Sequence, residues 1–248
     1  MDDQIIPRQG PARVFCIFQI GSIELPVSPL LSKIPNVLHG FGDRAEPSPQ
    51  FTVPYWDDRP IKTQVHGMHI CSVHEKKTEA GEADGLFTTR ADLLLTLVNA
   101  DCFPVLLARP DGAAVMALHV GWRGALGGII KEAADLISKN GDHPKNWVAA
   151  IGPGACACCY EVSTELIDRF VFEFSLPRII IEPSYRKLDL PALIRWQLQE
   201  YGFGEFSDAK VCTICSRVVD GNGHSQPAFF SYRRGDGKSV QRSAIVRV

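Results

Sequence analysis

The sequence has no apolar run that approaches the roughly 20 residues a membrane span needs. Its N-terminus, MDDQIIPRQGPARVFCIF, places two acids where a secretory leader carries positive charge, so a cytoplasmic chain with no membrane partner is expected. Charge of either sign is not in excess. With 26 basic and 28 acidic residues the formal net charge is -2, and no global field draws the chain to nucleic acid. Any phosphate group it handles has to be met by a local site. Internal repeats and low-complexity tracts are also missing, so one compact unit is expected over residues 1–248, with 1–35 as an N-terminal extension or edge strands. Composition leaves the oligomeric state open.

What is present suffices for a full core: 248 residues, of which 45% are hydrophobic. Residues 92–98 (DLLLTLV), 104–108 (PVLLA) and 113–119 (AAVMALH) are short, apolar and bounded by turn residues, as buried strands are. The turn Arg109-Pro110-Asp111-Gly112 joins the last two as a hairpin. Residues 42–60, dense in proline and polar side chains, read as a long surface connection. From Arg123 to Lys139 apolar residues recur three and four apart and the run ends at a glycine, which predicts one helix. WVAAIGPG predicts a strand and a tight turn, YEVSTELIDRFVFEF a second helix and LDLPALIRWQLQEYGF a third. Strands are predicted near AKVCTI and AFFSY, which completes an α/β alternation.

Eight cysteines in a chain that is neither small nor visibly secreted argue for reduced thiols, some of them ligands or nucleophiles, over a disulfide framework. Three residues stand at strand ends, where such folds gather chemistry: His66 in QVHG, Cys102 in NADCFP and His119 in ALHVGWRG. Taken singly, each fits an ordinary packing role. Together they supply two imidazoles and a thiol, a borderline-soft set suited to zinc that leaves a fourth position for water or substrate. The same residues admit a metal-free thiol hydrolase in which His66 or His119 activates Cys102 as nucleophile. Spacing does not separate the two. Cys156-x-x-Cys159 and Cys212-x-x-Cys215 suggest, in isolation, a four-thiolate structural zinc. However, the first pair opens a helix, and a strand through the second would send its cysteines to opposite faces, so packing is expected there.

The blocks QVHG, ADGLFT, NADCFPVLL, HVGWRG, IGPGACACCYEV and FFSYRRGDG occur in the order found in the YfiH-like family, which the chain resembles over about residues 36–248. Members were labelled multicopper polyphenol oxidases or laccase-domain proteins and are regarded as purine nucleoside phosphorylases. The resemblance implies an α/β fold, a single domain of layered mixed β-sheets flanked by helices, with a zinc site from His66, Cys102 and His119. It also implies phosphorolysis of adenosine, inosine, guanosine or methylthioadenosine to free base and ribose 1-phosphate, with adenosine deamination beside it. The CCYEV cysteines become pocket lining or packing. One departure follows HGFGDR: the asparagine-leucine and glycine-aspartate elements usual before QVHG are missing, which alters one pocket wall and leaves the trio untouched.

A multicopper laccase needs a blue-copper site and a trinuclear cluster. Seven histidines, at 39, 66, 69, 74, 119, 143 and 224 and with no His-x-His pair, are too few for that, though one copper at the His/Cys site stays open. Phosphorolysis requires cations against phosphate while charge develops on the sugar and the departing base. Arg123, four positions after His119 and near a helix start, is the first phosphate candidate. Arg44 in GFGDR and Arg233 in SYRRGDG match family arginines, and a guanidinium grips phosphate through two bonds. Gln64, two residues before His66, could share the ligand's side of a strand. Asp101, Asp84 and Glu161 are the acids expected to orient ligands or carry protons, with a turn or a helix's first turn as their plainer roles. A non-catalytic protein that holds a nucleotide or cell-wall precursor in the same pocket is the remaining alternative.

Overall fold

Along the residues that the computed structural model describes, 27–219 and 221–248, strands β1 (Val37–Phe41), β2 (Ile61–Thr63), β3 (Ile70–Ser72), β4 (Glu79–Glu82) and β5 (Gly85–Thr88) come first. They precede β6 (Leu95–Asn99), β7 (Phe103–Ala108) and β8 (Val115–Val120). Helices α1 (Trp122–Gly127) and α2 (Ile129–Lys139) lead to β9 (Val148–Ile151), α3 (Thr164–Phe174), α4 (Arg178–Ile181), α5 (Leu190–Glu200) and β10 (Phe206–Asp208). Strands β11 (Arg217–Val219), β12 (Ser225–Pro227) and β13 (Gln241–Arg247) follow. Most of the expected N-terminal extension, and Cys16 with it, lies outside the described residues.

The hairpin predicted at Arg109–Gly112 forms, with Ala108 opposite Val115 in the antiparallel β7–β8 ladder. It sits at the centre of a six-stranded mixed sheet of order β10-β9-β7-β8-β5-β3, in which β9–β10 and β3–β5 are parallel. Period two then divides the hairpin's side chains. Val105, Leu107, Met116 and Leu118 face the helices, packing with Ile130, Ile137, Ile167 and Ile194. Leu106, Ala108, Val115 and Ala117 face a second, three-stranded sheet of order β1-β13-β6, against Leu95, Leu97 and Ile245. Helices, large sheet and small sheet are thus stacked layers, as the α/β expectation required.

Four expectations are corrected. Residues 42–60 are not a bare connection: Gln50–Asp58 winds as a 3₁₀-helix whose Phe51, Tyr55 and Trp56 pack on Leu94, Ala244 and Val246 of the small sheet's layer. The helix predicted from Arg123 to Lys139 is two helices, because Gly128 takes φ 95° and ends α1 as a left-handed cap. Strands do lie near AKVCTI and AFFSY, β10 and β12 ending just before each, but none runs through Cys212 and Cys215, where Thr213–Cys215 is a turn. Glu161 is not in the first turn of a helix, since α3 starts at Thr164 behind Ser163, whose hydroxyl accepts Leu166 N–H.

His39, in β1, is buried and its Nε2 accepts the Ser28 N–H at 2.9 Å. Burial drives its pKa from 6.5 down to about 4, against that backbone bond. Because the folded value is depressed, stability is intact above pH 6.5 and is lost as pH falls towards 4, by about 3 kcal/mol at one pKa unit per 1.4 kcal/mol. Urea midpoints of wild type and His39→Gln at pH 7 and pH 5 test this. The wild type should drop more steeply, and equal drops would refute the assignment.

Candidate metal centre

Cys102 immediately precedes β7, and His119 lies in β8 opposite Pro104. By strand alternation Cys102, Pro104 and Leu106 share one face, as do His119 and Ala117, so thiol and imidazole project towards the same side from adjacent strands. Extending the register puts Gly121 beside Cys102. A Cβ on Gly121 would lie 2.9 Å from Cys102 Sγ and 3.3 Å from His66 Cδ2, so glycine keeps the space between the donors open. The third donor arrives on the loop after β2, where His66 adopts a left-handed φ of 61°.

That loop is strained and is held by one carboxylate. Asp84, wholly buried, accepts N–H bonds from Gly67 (2.7 Å), His66 (3.0 Å) and Val65 (3.1 Å), and its Oδ1 lies 2.7 Å from His119 Nδ1. Burial by itself would raise the Asp84 pKa, but the His119 bond and the backbone donors outweigh it and hold the group down at about 2. With Nδ1 committed to Asp84, Nε2 is the nitrogen His119 has left for a metal. One donor atom from each of His66, Cys102 and His119 lies within 4.8 Å of the others, with the two imidazoles edge to face at 4.9 Å between centroids.

Burial, then the charges of Asp101 and Asp84, push the Cys102 thiol up to about 12, against Arg123; burial likewise lowers His119. With no ion between them, Cys102 is therefore held as a thiol and His119 is pushed towards its neutral form. A metal-free nucleophile needs its thiol shifted the other way, whereas a divalent cation would itself favour the thiolate. The set fits a soft divalent ion with an open position.

All three donors line a cavity of about 850 Å³, within the range of small-molecule sites. Of the other predicted residues, Gln64, Asp101, Arg123 and Arg233 also line it. Arg123 is exposed at the start of α1 with its guanidinium over Trp122, 4.4 Å from the ring centroid. Gln64 exchanges two bonds with the Val98 main chain. Asp101 is a buried anchor: its carboxylate accepts from Thr213 Oγ1, Ser231 Oγ and the Arg233 N–H. Arg233 in turn donates to the Glu161 carbonyl and covers the Tyr160 ring.

Two predicted residues are drawn away from the cavity. Arg44 pairs with Asp236 at 2.7 Å and lies over the Phe230 ring, and Glu161 faces Arg186 and Lys187. One lining residue was missed. Lys62 lines the cavity, and burial lowers it to about 8 against the pull of Asp84. Its signal lies in KTQVH, two positions before Gln64, where a lysine in a short strand reads as solvated.

Residues 52–246 match the family model described as multi-copper polyphenol oxidoreductase laccase. The chain belongs to this family. Relatives similar to the chain carry the name purine nucleoside phosphorylase. That of Deinococcus radiodurans is 33% identical over 191 residues, 77% of this chain and 70% of that protein. That of Rickettsia conorii is 36% identical over 148 residues, 57% of this chain; the match spans 60% of that relative's length. The crystal structure of Bacillus licheniformis hypothetical protein YfiH superposes with a TM-score of 0.71 at 25% identity, covering 86% of this chain and 93% of that one. The multicopper label finds no cluster to rest on, since among the described residues His66 and His119 are the histidines that join a metal-competent group. No helix among the described residues is long and apolar enough to cross a membrane.

Proposed function

We propose that this chain is a zinc-dependent purine nucleoside phosphorylase, acting on adenosine, inosine, guanosine or methylthioadenosine, with adenosine deamination as a side activity. The observation that carries it is the open His66, Cys102, His119 trio in the wall of a cavity that Lys62, Arg123 and Arg233 make cationic. The names of the relatives favour the same chemistry.

When bound, zinc supplies Lewis acidity and lowers the pKa of a coordinated water in the cavity. The protein's own groups do the rest. In phosphorolysis the bond from C1′ to the purine nitrogen breaks, a phosphate oxygen bonds to C1′, and the departing base takes up a proton. Arg123, Arg233 and the desolvated Lys62 hold the phosphate dianion, each guanidinium offering a paired donor set. Trp122 and Tyr160, both in the cavity wall, back the Arg123 and Arg233 guanidiniums with their rings. Asp84 keeps His119 and the His66 loop in place, and Asp101 sets the backbone that carries Arg233.

Chromatography of adenosine incubated with the protein, with and without inorganic phosphate, tests the reading. Adenine and ribose 1-phosphate should form only with phosphate, and inosine in both samples would report the deamination. Unchanged adenosine, inosine, guanosine and methylthioadenosine in the presence of phosphate would overturn it. Replacing Arg123 with alanine should lower kcat/KM for phosphate by about 10–100-fold, the worth of a charge-assisted bond. An unchanged phosphate dependence would remove Arg123 from the site.

A further inference from the structure

The two loops that the sequence alone assigns to packing meet behind the cavity. After β9, Gly154 forms a bridge with Cys212, its N–H bonded to the Val211 carbonyl and its carbonyl to the Thr213 N–H. A side chain at Gly154 is excluded, because a Cβ would lie 2.6 Å from the Phe103 ring. From this crossing each loop makes one tight turn. In the first, the Cys159 and Tyr160 N–H groups bond to the Cys156 carbonyl; in the second, the Ser216 N–H bonds to the Cys212 carbonyl. The second turn returns Cys212 and Cys215, three apart, to the same side, which a strand would not have done; the first presents the adjacent Cys158 and Cys159 to them, while Cys156 Sγ, expected in the sequence as the partner of Cys159, donates to the Gly154 carbonyl. The consequence is a group of four thiols, Cys158, Cys159, Cys212 and Cys215, all within 4.8 Å of one another.

We propose that these four cysteines form a second metal site, a tetrahedral four-thiolate centre for zinc. Four sulfurs about 2.3 Å from a central zinc lie about 3.8 Å apart along the edges of the tetrahedron. Cys158 Sγ and Cys215 Sγ stand 3.6 Å apart, close to that edge and far beyond the roughly 2.05 Å of a disulfide. The ligand set is all sulfur and tetrahedral in reach, which selects zinc or iron over harder cations. On binding, four thiols lose four protons and the centre carries a net charge of two minus. Arg234 stands beside it, donating to the Thr213 and Ile214 carbonyls of the second turn.

The site is separate from the cavity, since none of the four cysteines lines it. It is nonetheless linked to the cavity's back wall. Tyr160 follows Cys159 directly, and Thr213, between two of the thiols, donates to Asp101 Oδ1 at 2.6 Å. Asp101 in turn precedes Cys102 and anchors Arg233. An ion here would clamp two loops that approach from 57 residues apart in sequence (Cys158 to Cys215) and fix the backbone behind the site.

The test is the metal content of the full chain, prepared with reductant and zinc and then desalted. Wild type should carry one zinc at the trio and one at the thiol group. His66→Ala/His119→Ala should keep the second, and Cys158→Ser/Cys215→Ser should keep the first. If the cysteine variant fails to fold, cobalt substitution of the His66→Ala/His119→Ala protein decides, because a four-thiolate cobalt centre gives intense sulfur-to-metal charge-transfer and tetrahedral bands. Absence of zinc and of those bands in that variant would overturn the proposal, as would a Cys158–Cys215 disulfide found by mass spectrometry of the reductant-treated wild type. Neither readout uses turnover, so failure here is distinct from failure of the phosphorylase reading.

Discussion

If the proposed function holds, His119→Ala is expected to lose the zinc proposed at His66 and Cys102 and to lower purine nucleoside turnover by at least the order of 10²–10³-fold that removal of one charge-stabilising group costs. Two donors remain after the change, one of them a thiol that burial keeps protonated. The buried Asp84 carboxylate also loses its imidazole partner, so some destabilisation should accompany the loss. Thermal unfolding run beside metal analysis separates the two effects. A variant that is folded, has lost this ion and retains full activity would show that the metal is not part of the reaction.

Asp84→Asn carries the second large effect. The carboxylate serves four donors: three consecutive backbone N–H groups of the His66 loop and the His119 ring. An amide presents one oxygen to them and turns two N–H groups towards the others. Breaking such a buried charged network costs about 3–5 kcal/mol, which in a chain of this size lowers Tm by about 10 °C. At the proposed zinc site, loss of the partner that orients His119 should weaken zinc affinity by about 10–100-fold. Calorimetry and a competitive chelator titration measure both, and a wild-type Tm would refute the anchoring role.

The pH dependence follows from the same group. Because Asp84 is depressed to about 2 in the fold, its contribution is complete above the ordinary carboxylate value of 3.8 and disappears as pH falls towards 2. His39 acts in the higher window, from 6.5 to about 4. Acid unfolding should therefore proceed through His39 first and Asp84 second, and His39→Gln should remove only the earlier part.

The trio was legible because the relevant rules are local. Alternation along β7 and β8, with six residues between them, places Cys102 and His119 on one face in any fold that keeps the hairpin. Asp84 was identified as an acid near the site, but not as the hub of four bonds, since the left-handed turn at His66 leaves no pattern in residue type. Arg44 and Glu161, expected with the substrate, are not among the residues that line the cavity. Their directions are set by Asp236, 192 positions from Arg44, and by Arg186 and Lys187 beyond the start of α3.

The thiol group is the sharpest case. Cys158, Cys159, Cys212 and Cys215 are as visible in the sequence as the trio, yet a strand at Cys212 and a turn at Cys212 give opposite answers about whether they meet. The segment's apolar residues favour the strand, and its backbone pairs with Gly154 for one residue only before it turns. Residue type and periodicity settled which strands are buried, which donors share a hairpin face and which family blocks are present, because those depend on neighbours a few residues away. The direction of each charged side chain, the break at Gly128 and the meeting of the two cysteine turns were settled by the folded chain, because they depend on partners that only packing brings within reach.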